Sequence, residues 1–166
     1  MASGFAGARL KWAMVPRPAA LFGSLLLAST MGGCLTSPDD ADELSRQRRK
    51  WESQGITDYR VLSRMSCFCV GDATTQVVLH VLNRRLVSVS RAVDLSPVPP
   101  SEWAFRYYTI DEMFDLIADA QAKGASEVRV TYDAGLGYPT EVYLDLSSRV
   151  ADDERQFEIS GLTVAR

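Results

Sequence analysis

The sequence predicts an α+β domain: two units, each a helix followed by three strands (αβββ twice), forming an antiparallel sheet with the helices on one face. Three observations carry that prediction. Two stretches, residues 40–54 and 110–123, repeat apolar residues at helical spacing between start and stop signals. Each is followed by short runs that alternate apolar and polar residues, with turn-forming residues between them. The exits of the two helices also match in residue type, Gly55-Ile56-Thr57-Asp58-Tyr59-Arg60-Val61 against Gly124-Ala125-Ser126-Glu127-Val128-Arg129-Val130, as do Thr75-Gln76-Val77-Val78-Leu79 and Thr140-Glu141-Val142-Tyr143-Leu144. Duplication of one unit and coincidence among alternating strands both account for the match.

The first 33 residues stand apart from this pattern. Arg9, Lys11 and Arg17 precede an apolar run over residues 19–28, too short to span a bilayer, and small residues lead to Met31-Gly32-Gly33-Cys34. Met14 would open a shorter signal of the same kind. The segment resembles a bacterial lipoprotein signal, which implies that Cys34 is acylated and becomes the first residue of the mature chain. An ordinary secretory signal with Cys34 merely near the cut is the alternative. Several acyl chains, at about 0.8 kcal/mol per buried methylene, hold a protein on a membrane essentially permanently. Leu35 in place of an aspartate implies, by the same resemblance, the periplasmic side of an outer membrane where the host has one.

None of the 21 acidic residues precedes Cys34, so the mature chain is more acidic than the net −3 of the whole. A nucleic-acid partner is excluded on that balance. Residues 34–42 read as an acidic tether, and residues 43–166 as one domain.

The first helix starts at Ser37-Pro38-Asp39-Asp40, places Leu44, Arg48 and Trp51 on one face and stops at Gly55. Its basic cluster Arg46, Arg48, Arg49 and Lys50 reads as a solvated face rather than a lipid-headgroup contact. Residues 58–69 form a strand with Tyr59, Val61, Met65, Cys67 and Cys69 of one parity. Gly71-Asp72 turns the chain into residues 74–82, and Asn83-Arg84-Arg85 turns it into residues 86–93. A three-residue turn there sets Val81 opposite Val87 and Leu79 opposite Val89, with His80 and Ser88 on the other face.

Residues 94–107 carry Pro97, Pro99 and Pro100 with Trp103, Phe105 and Tyr107, and read as a crossover covering part of the core. Thr109-Ile110-Asp111-Glu112 is a capping box for the second helix, with Tyr108 placed to staple onto Met113. Ile110, Met113, Phe114, Ile117 and Gln121 trace its inner face, while Asp111, Glu112, Asp115 and Asp119 face out. Val128, Val130 and Tyr132 alternate inward before the turn at Ala134-Gly135-Leu136-Gly137, and Val142, Leu144 and Leu146 do so after it, with Pro139 at the re-entry. The last strand, residues 156–164, carries Phe157 and Ile159 on one face and a register shift at Gly161.

Chemistry-bearing residues are few. His80 is the sole histidine, so a multi-histidine zinc site lacks ligands. In an exported protein Cys67 and Cys69 are expected to pair, although two residues of extended strand span about 6.6 Å, the upper limit for a disulfide. Closing so small a loop gains only about 1.6 kcal/mol before strain, so a labile redox pair or a soft-metal thiolate site stays open. Asp133, Asp145, Asp152 and Asp153 could supply oxygens to calcium, but without EF-hand spacing they read equally as turn residues.

The motifs W-x3-G-I-x-D-Y, C-F-C, Y-x-T-I-D-x-[ML]-F and Y-D-x3-G-Y-P-T, followed by D-D-E, resemble an uncharacterised bacterial secreted or lipoprotein family, domain of unknown function 6174. The marks here are Trp51, Gly55, Ile56, Asp58, Tyr59, Cys67, Phe68 and Cys69, then Thr109, Ile110, Asp111 and Phe114, then Tyr132, Asp133, Gly137, Tyr138, Pro139, Thr140, Asp152 and Asp153. The resemblance implies no activity and no cofactor. The expectation is an exported protein, lipid-anchored to the cell envelope, that binds an envelope partner and is not an enzyme. A thiol redox or metal-handling role for Cys67 and Cys69 is the alternative.

Overall fold

Among the described residues six strands form one antiparallel sheet, with the first and last of them paired at its centre. A computed structural model describes residues 38–67, 74–150 and 152–165. Their order is α1 (Pro38–Ser53), β1 (Tyr59–Cys67), β2 (Val77–Leu82), β3 (Arg85–Arg91), a 3-10 turn (Pro100–Glu102), α2 (Ile110–Ala122), β4 (Glu127–Tyr132), β5 (Pro139–Asp145) and β6 (Arg155–Val164). The described residues are therefore α+β, with two α-helices and a six-stranded antiparallel sheet in the order β3-β2-β1-β6-β5-β4. No helix among the described residues is long and apolar enough to cross a membrane.

Strand alternation places the core. Tyr59, Val61 and Met65 of β1 are buried, as are their cross-strand partners Val81 and Leu79 on β2 and Phe157 on β6, and then Val142 beside Phe157 on β5. Directly paired residues project to the same side of a sheet, so these side chains make one apolar face. The opposite face is wet: Arg64 there reaches both oxygens of Glu158 at 2.6 Å, and Arg129 lies 4.2 Å over the ring of Tyr143. His80 pairs with Arg60 and Ser88 on that face, as the spacing predicts.

Several expectations need correction. The β2–β3 turn has two residues, with Leu82 paired to Arg85 and with Asn83 and Arg84 at φ of 49° and 63°. That is the twist-matched form of a tight hairpin turn. Val81 consequently faces Leu86, and a register shift between His80 and Val81 restores the Leu79–Val89 pair while leaving Val87 exposed. Leu146 lies beyond the end of β5 and is exposed rather than inward. Asp111 does not face out: its side chain is 21% exposed and accepts a bond from Trp51 Nε1.

Other elements form as the residues direct. The Thr109 hydroxyl accepts from the Glu112 N–H while the Glu112 carboxylate accepts from the Thr109 N–H, satisfying two donors at the start of α2. Gly161, at φ 62°, sits where the β1–β6 register shifts between Arg60 and Leu62. A glycine in left-handed conformation is what this kind of bulge requires. Phe68, Cys69 and the Gly71-Asp72 turn lie outside the described residues, as does everything before Pro38, including Cys34.

Candidate functional site

Residues that carry the family resemblance converge on one packing node. The Trp51 indole, near the end of α1, meets the ring of Tyr59 on β1 edge-on at 5.7 Å and that of Tyr138 at 6.1 Å. Its Nε1–H donates to Asp111 Oδ1 at 3.3 Å, while the Ile110 N–H at the start of α2 donates to Tyr59 Oη at 2.9 Å. Phe114 stacks on Tyr132 at 6.3 Å. Asp58 Oδ1 accepts from the Asn83 N–H at 2.6 Å and holds the β2–β3 turn. Gly137, at φ 85°, lets the β4–β5 loop press on α1, since a Cβ there would lie 2.9 Å from the Gln47 carbonyl and 3.0 Å from Lys50 Cβ. Burial pushes the Tyr59 phenol well above its ordinary pKa, with Asp111 and Glu112 adding to the rise. These residue types serve cohesion between elements.

The acidic residues considered for calcium are spread over separate turns. Asp133 Oδ1 accepts from the N–H groups of Gly135 at 2.9 Å and Leu136 at 2.6 Å, and Asp145 Oδ1 from that of Ser147 at 3.1 Å. Asp152 takes φ 68° on the surface, and Asp153 Oδ1 is buried with no hydrogen-bond partner among the described residues. Among the described residues no three His, Cys, Asp or Glu side chains converge as a metal ion requires. Cys67, half-buried at the end of β1, is disulfide-bonded.

The basic cluster of α1 is largely spoken for. Arg46 pairs with Glu43, Arg48 with Glu52 and Asp115, and Lys50 Nζ donates to the Ala134 carbonyl at 2.6 Å. These contacts tie α1 to α2 and to the β4–β5 loop.

The feature that sequence reasoning missed is a groove of about 660 Å³ between the crossover and the outer side of α2. It is lined by the half-buried side chains of Trp103, Tyr108 and Leu116, by the buried Tyr107 and by the exposed Phe105. Trp103 is held by its Nε1–H donating to the Val98 carbonyl at 2.9 Å. Phe105 is 77% exposed and sits at φ 64°, a backbone conformation that costs a side-chain-bearing residue about 1–2 kcal/mol. Glu112, Asp115 and Asp119 line the α2 wall, and they share a face because they fall three and four residues apart. Two signals were available in the sequence: aromatic residues at 103, 105, 107 and 108, and an acidic row on the helix that follows. Read separately they are core cover and a solvated face; only the fold brings them together. A second cavity of about 500 Å³ lies by β4, where Arg129 already pairs with Glu127.

The model of a family described as a family of unknown function (DUF6174) matches residues 43–164. A comparison with curated proteins finds no match.

Proposed function

Because the chain belongs to the family of unknown function DUF6174, a membership that brings no activity with it, we propose from its geometry that it is a non-enzymatic binding module, and from the signal-like sequence before Cys34 that it is lipid-anchored to the cell envelope. The groove between the crossover and α2 carries the binding half of this reading. Surface aromatics in a concave site rimmed by polar groups are the usual make-up of a ligand pocket. An exposed Phe105 in a strained conformation has no packing role to account for it.

The same reading takes both helices to one face of the sheet, supported by Tyr59 touching Trp51 of α1 and Ile110 of α2. It also takes Cys69 as the disulfide partner of Cys67, adjacent to it on the strand predicted from the sequence. A thiol redox role remains the second reading, because a shallow cavity of about 290 Å³ reaches Cys67 beside Arg155 and Glu154. Titrating thiols in the folded protein with and without reductant separates the two: no free thiols and a fold indifferent to reductant fit a structural bond, whereas two free thiols that take up copper(I) stoichiometrically fit the redox or metal-handling reading.

Two experiments test the main proposal. Cys34→Ser should abolish acylation and leave the protein soluble or unprocessed, read by intact mass and membrane fractionation; an unlipidated wild-type mature chain would end the anchoring claim. A photo-crosslinking residue in place of Phe105 should form one discrete adduct in cells, with an envelope component or with a small molecule held in the groove, read by intact mass, and one in place of Arg60 on the wet sheet face should not. Equal labelling at both positions, or none at 105, removes the binding role.

A further inference from the structure

We infer that the groove between the crossover and α2 takes a small, water-soluble organic cation of the quaternary-ammonium class, an inference that rests on the binding-module reading above. Its walls select for charge of one sign: every ionisable group with a carboxylate or basic side chain among its described lining residues is a carboxylate, namely Glu112, Asp115 and Asp119. Its lining is rich in aromatic residues, and the faces of Trp, Tyr and Phe rings carry negative electrostatic potential that attracts a cation, most effectively one with weak hydration and apolar substituents. Trp103 is fixed in place by its bond to Val98, so one aromatic wall is already organised, and Phe105 stands free to fold over a bound cation. A bare divalent ion is a poor occupant, because it needs six or more oxygens and gains little from rings.

Cations of the protein itself also face this site. Arg48 bonds Asp115 at 2.7 Å, Lys123 pairs with Asp119, Glu112 lends one oxygen to the cap of α2, and Arg155 acts on the Tyr108 hydroxyl. The Arg48 and Lys123 pairs are solvent-exposed, a setting in which ion pairs are weak and exchange readily. The acidic rim also decides between two sources of the ligand. A phosphocholine headgroup would carry its phosphate, a few ångströms from the ammonium, against these three carboxylates, so the favoured ligand is a free cation rather than a membrane lipid.

The test uses the full mature protein in detergent and follows tryptophan fluorescence, since Trp103 lies in the groove while Trp51 is buried in the core. Choline chloride is titrated against its neutral isostere 3,3-dimethylbutan-1-ol, against phosphocholine, and against phosphatidylcholine vesicles. The expected result is saturable choline binding, with the isostere and phosphocholine each at least about tenfold weaker, a difference within the reach of cation–π and carboxylate attraction together. Phe105→Ala should weaken choline at least fivefold without moving the melting temperature, because the ring it removes is exposed. Asp119→Asn should weaken it severalfold and flatten the salt dependence. Equal binding of the isostere would overturn the cation inference while leaving a binding groove. Vesicles outcompeting choline would overturn the soluble source. No saturable binding of any probe would also overturn the inference, and crosslinking at position 105 would then judge the binding-module reading by itself.

Discussion

Gly137 illustrates how one residue decides a contact between elements. Gly137→Ala meets two penalties at once, a left-handed backbone costing about 1–2 kcal/mol and a Cβ closer to the Gln47 carbonyl than real contacts allow. A loss of about 2 kcal/mol or more is expected in a urea titration, and a loss under about 0.5 kcal/mol would show that the loop relaxes freely. Asp133→Asn, four residues earlier, keeps an acceptor for Gly135 and Leu136, so it should cost little, with or without calcium. A rise of several degrees in wild-type melting on adding calcium, absent from the variant, would reinstate the metal reading. Tyr59 gives a pH signature. Its folded-state pKa is raised by burial above an unfolded value near 10, so the unfolded chain releases the proton first. That part of stability is complete below about pH 10 and is lost as the pH rises further. Tyr132 is raised for the same reason, so Tyr59→Phe should make the alkaline fall in urea midpoint shallower without abolishing it. The variant should also cost about 1–3 kcal/mol at pH 7, because the Ile110 N–H loses its buried acceptor. An alkaline slope identical to wild type would refute the assignment.

Elements were legible in the sequence wherever local chemistry decides them. The capping box at Thr109, the bulge at Gly161 and the parity of Val128, Val130, Val142 and Leu144 all follow from residue type and spacing. The β2–β3 turn was misread because Asn83-Arg84-Arg85 lacks the glycine that usually marks a tight hairpin turn, so nothing local distinguished two residues from three. The register is held instead from outside the hairpin, by Asp58 accepting from the Asn83 N–H and by the Thr57 carbonyl accepting from the Arg84 N–H at 2.9 Å. The aromatic groove was equally illegible, since its two walls are separate readings until the crossover is laid against α2. Arg84→Gly relieves a left-handed arginine at the cost of a half-exposed pair with Asp111 at 4.0 Å. It should be neutral or stabilising by up to about 1 kcal/mol, whereas Arg84→Val should destabilise by a similar amount because a β-branched residue resists positive φ. Thermal melts of the two variants check the turn directly; equal melting temperatures would return it to three residues.

Taken as a whole, the sheet does not have the symmetry that its matched motifs suggest. Along it each half runs third strand, second, first, yet every neighbour is antiparallel, so β1 and β4, three places apart, point in opposite directions. A rotation that keeps the order across the sheet and reverses strand direction must turn the sheet over. The matched residues Val61 and Val130, and Leu79 and Leu144, would then project to opposite sides, but cross-strand pairing through Met65, Phe157 and Val142 puts them all on the core side. The halves as folded therefore do not superpose, and neither is a self-sufficient copy of the other. Their interdependence is concentrated in β6, which pairs with β1 along its length, pairs with β5 on its other edge and buries Phe157 and Ile159. Without it, β1 would open an unpaired edge and the core would lose two large side chains, each worth about 1.5–3 kcal/mol of burial against a total margin of only about 5–15. A chain ending at residue 150 should therefore show no cooperative unfolding transition by circular dichroism. A chain of residues 34–107, which keeps α1 and the first three strands, should fail in the same way. Adding a peptide of residues 152–166 to the first truncation should restore a sigmoidal melt, because β5 and β1 still offer both edges of the gap. Cooperative melting of the 34–107 chain alone would show that the first helix and meander are an independent folding unit after all, and that β6 joins two domains rather than completing one.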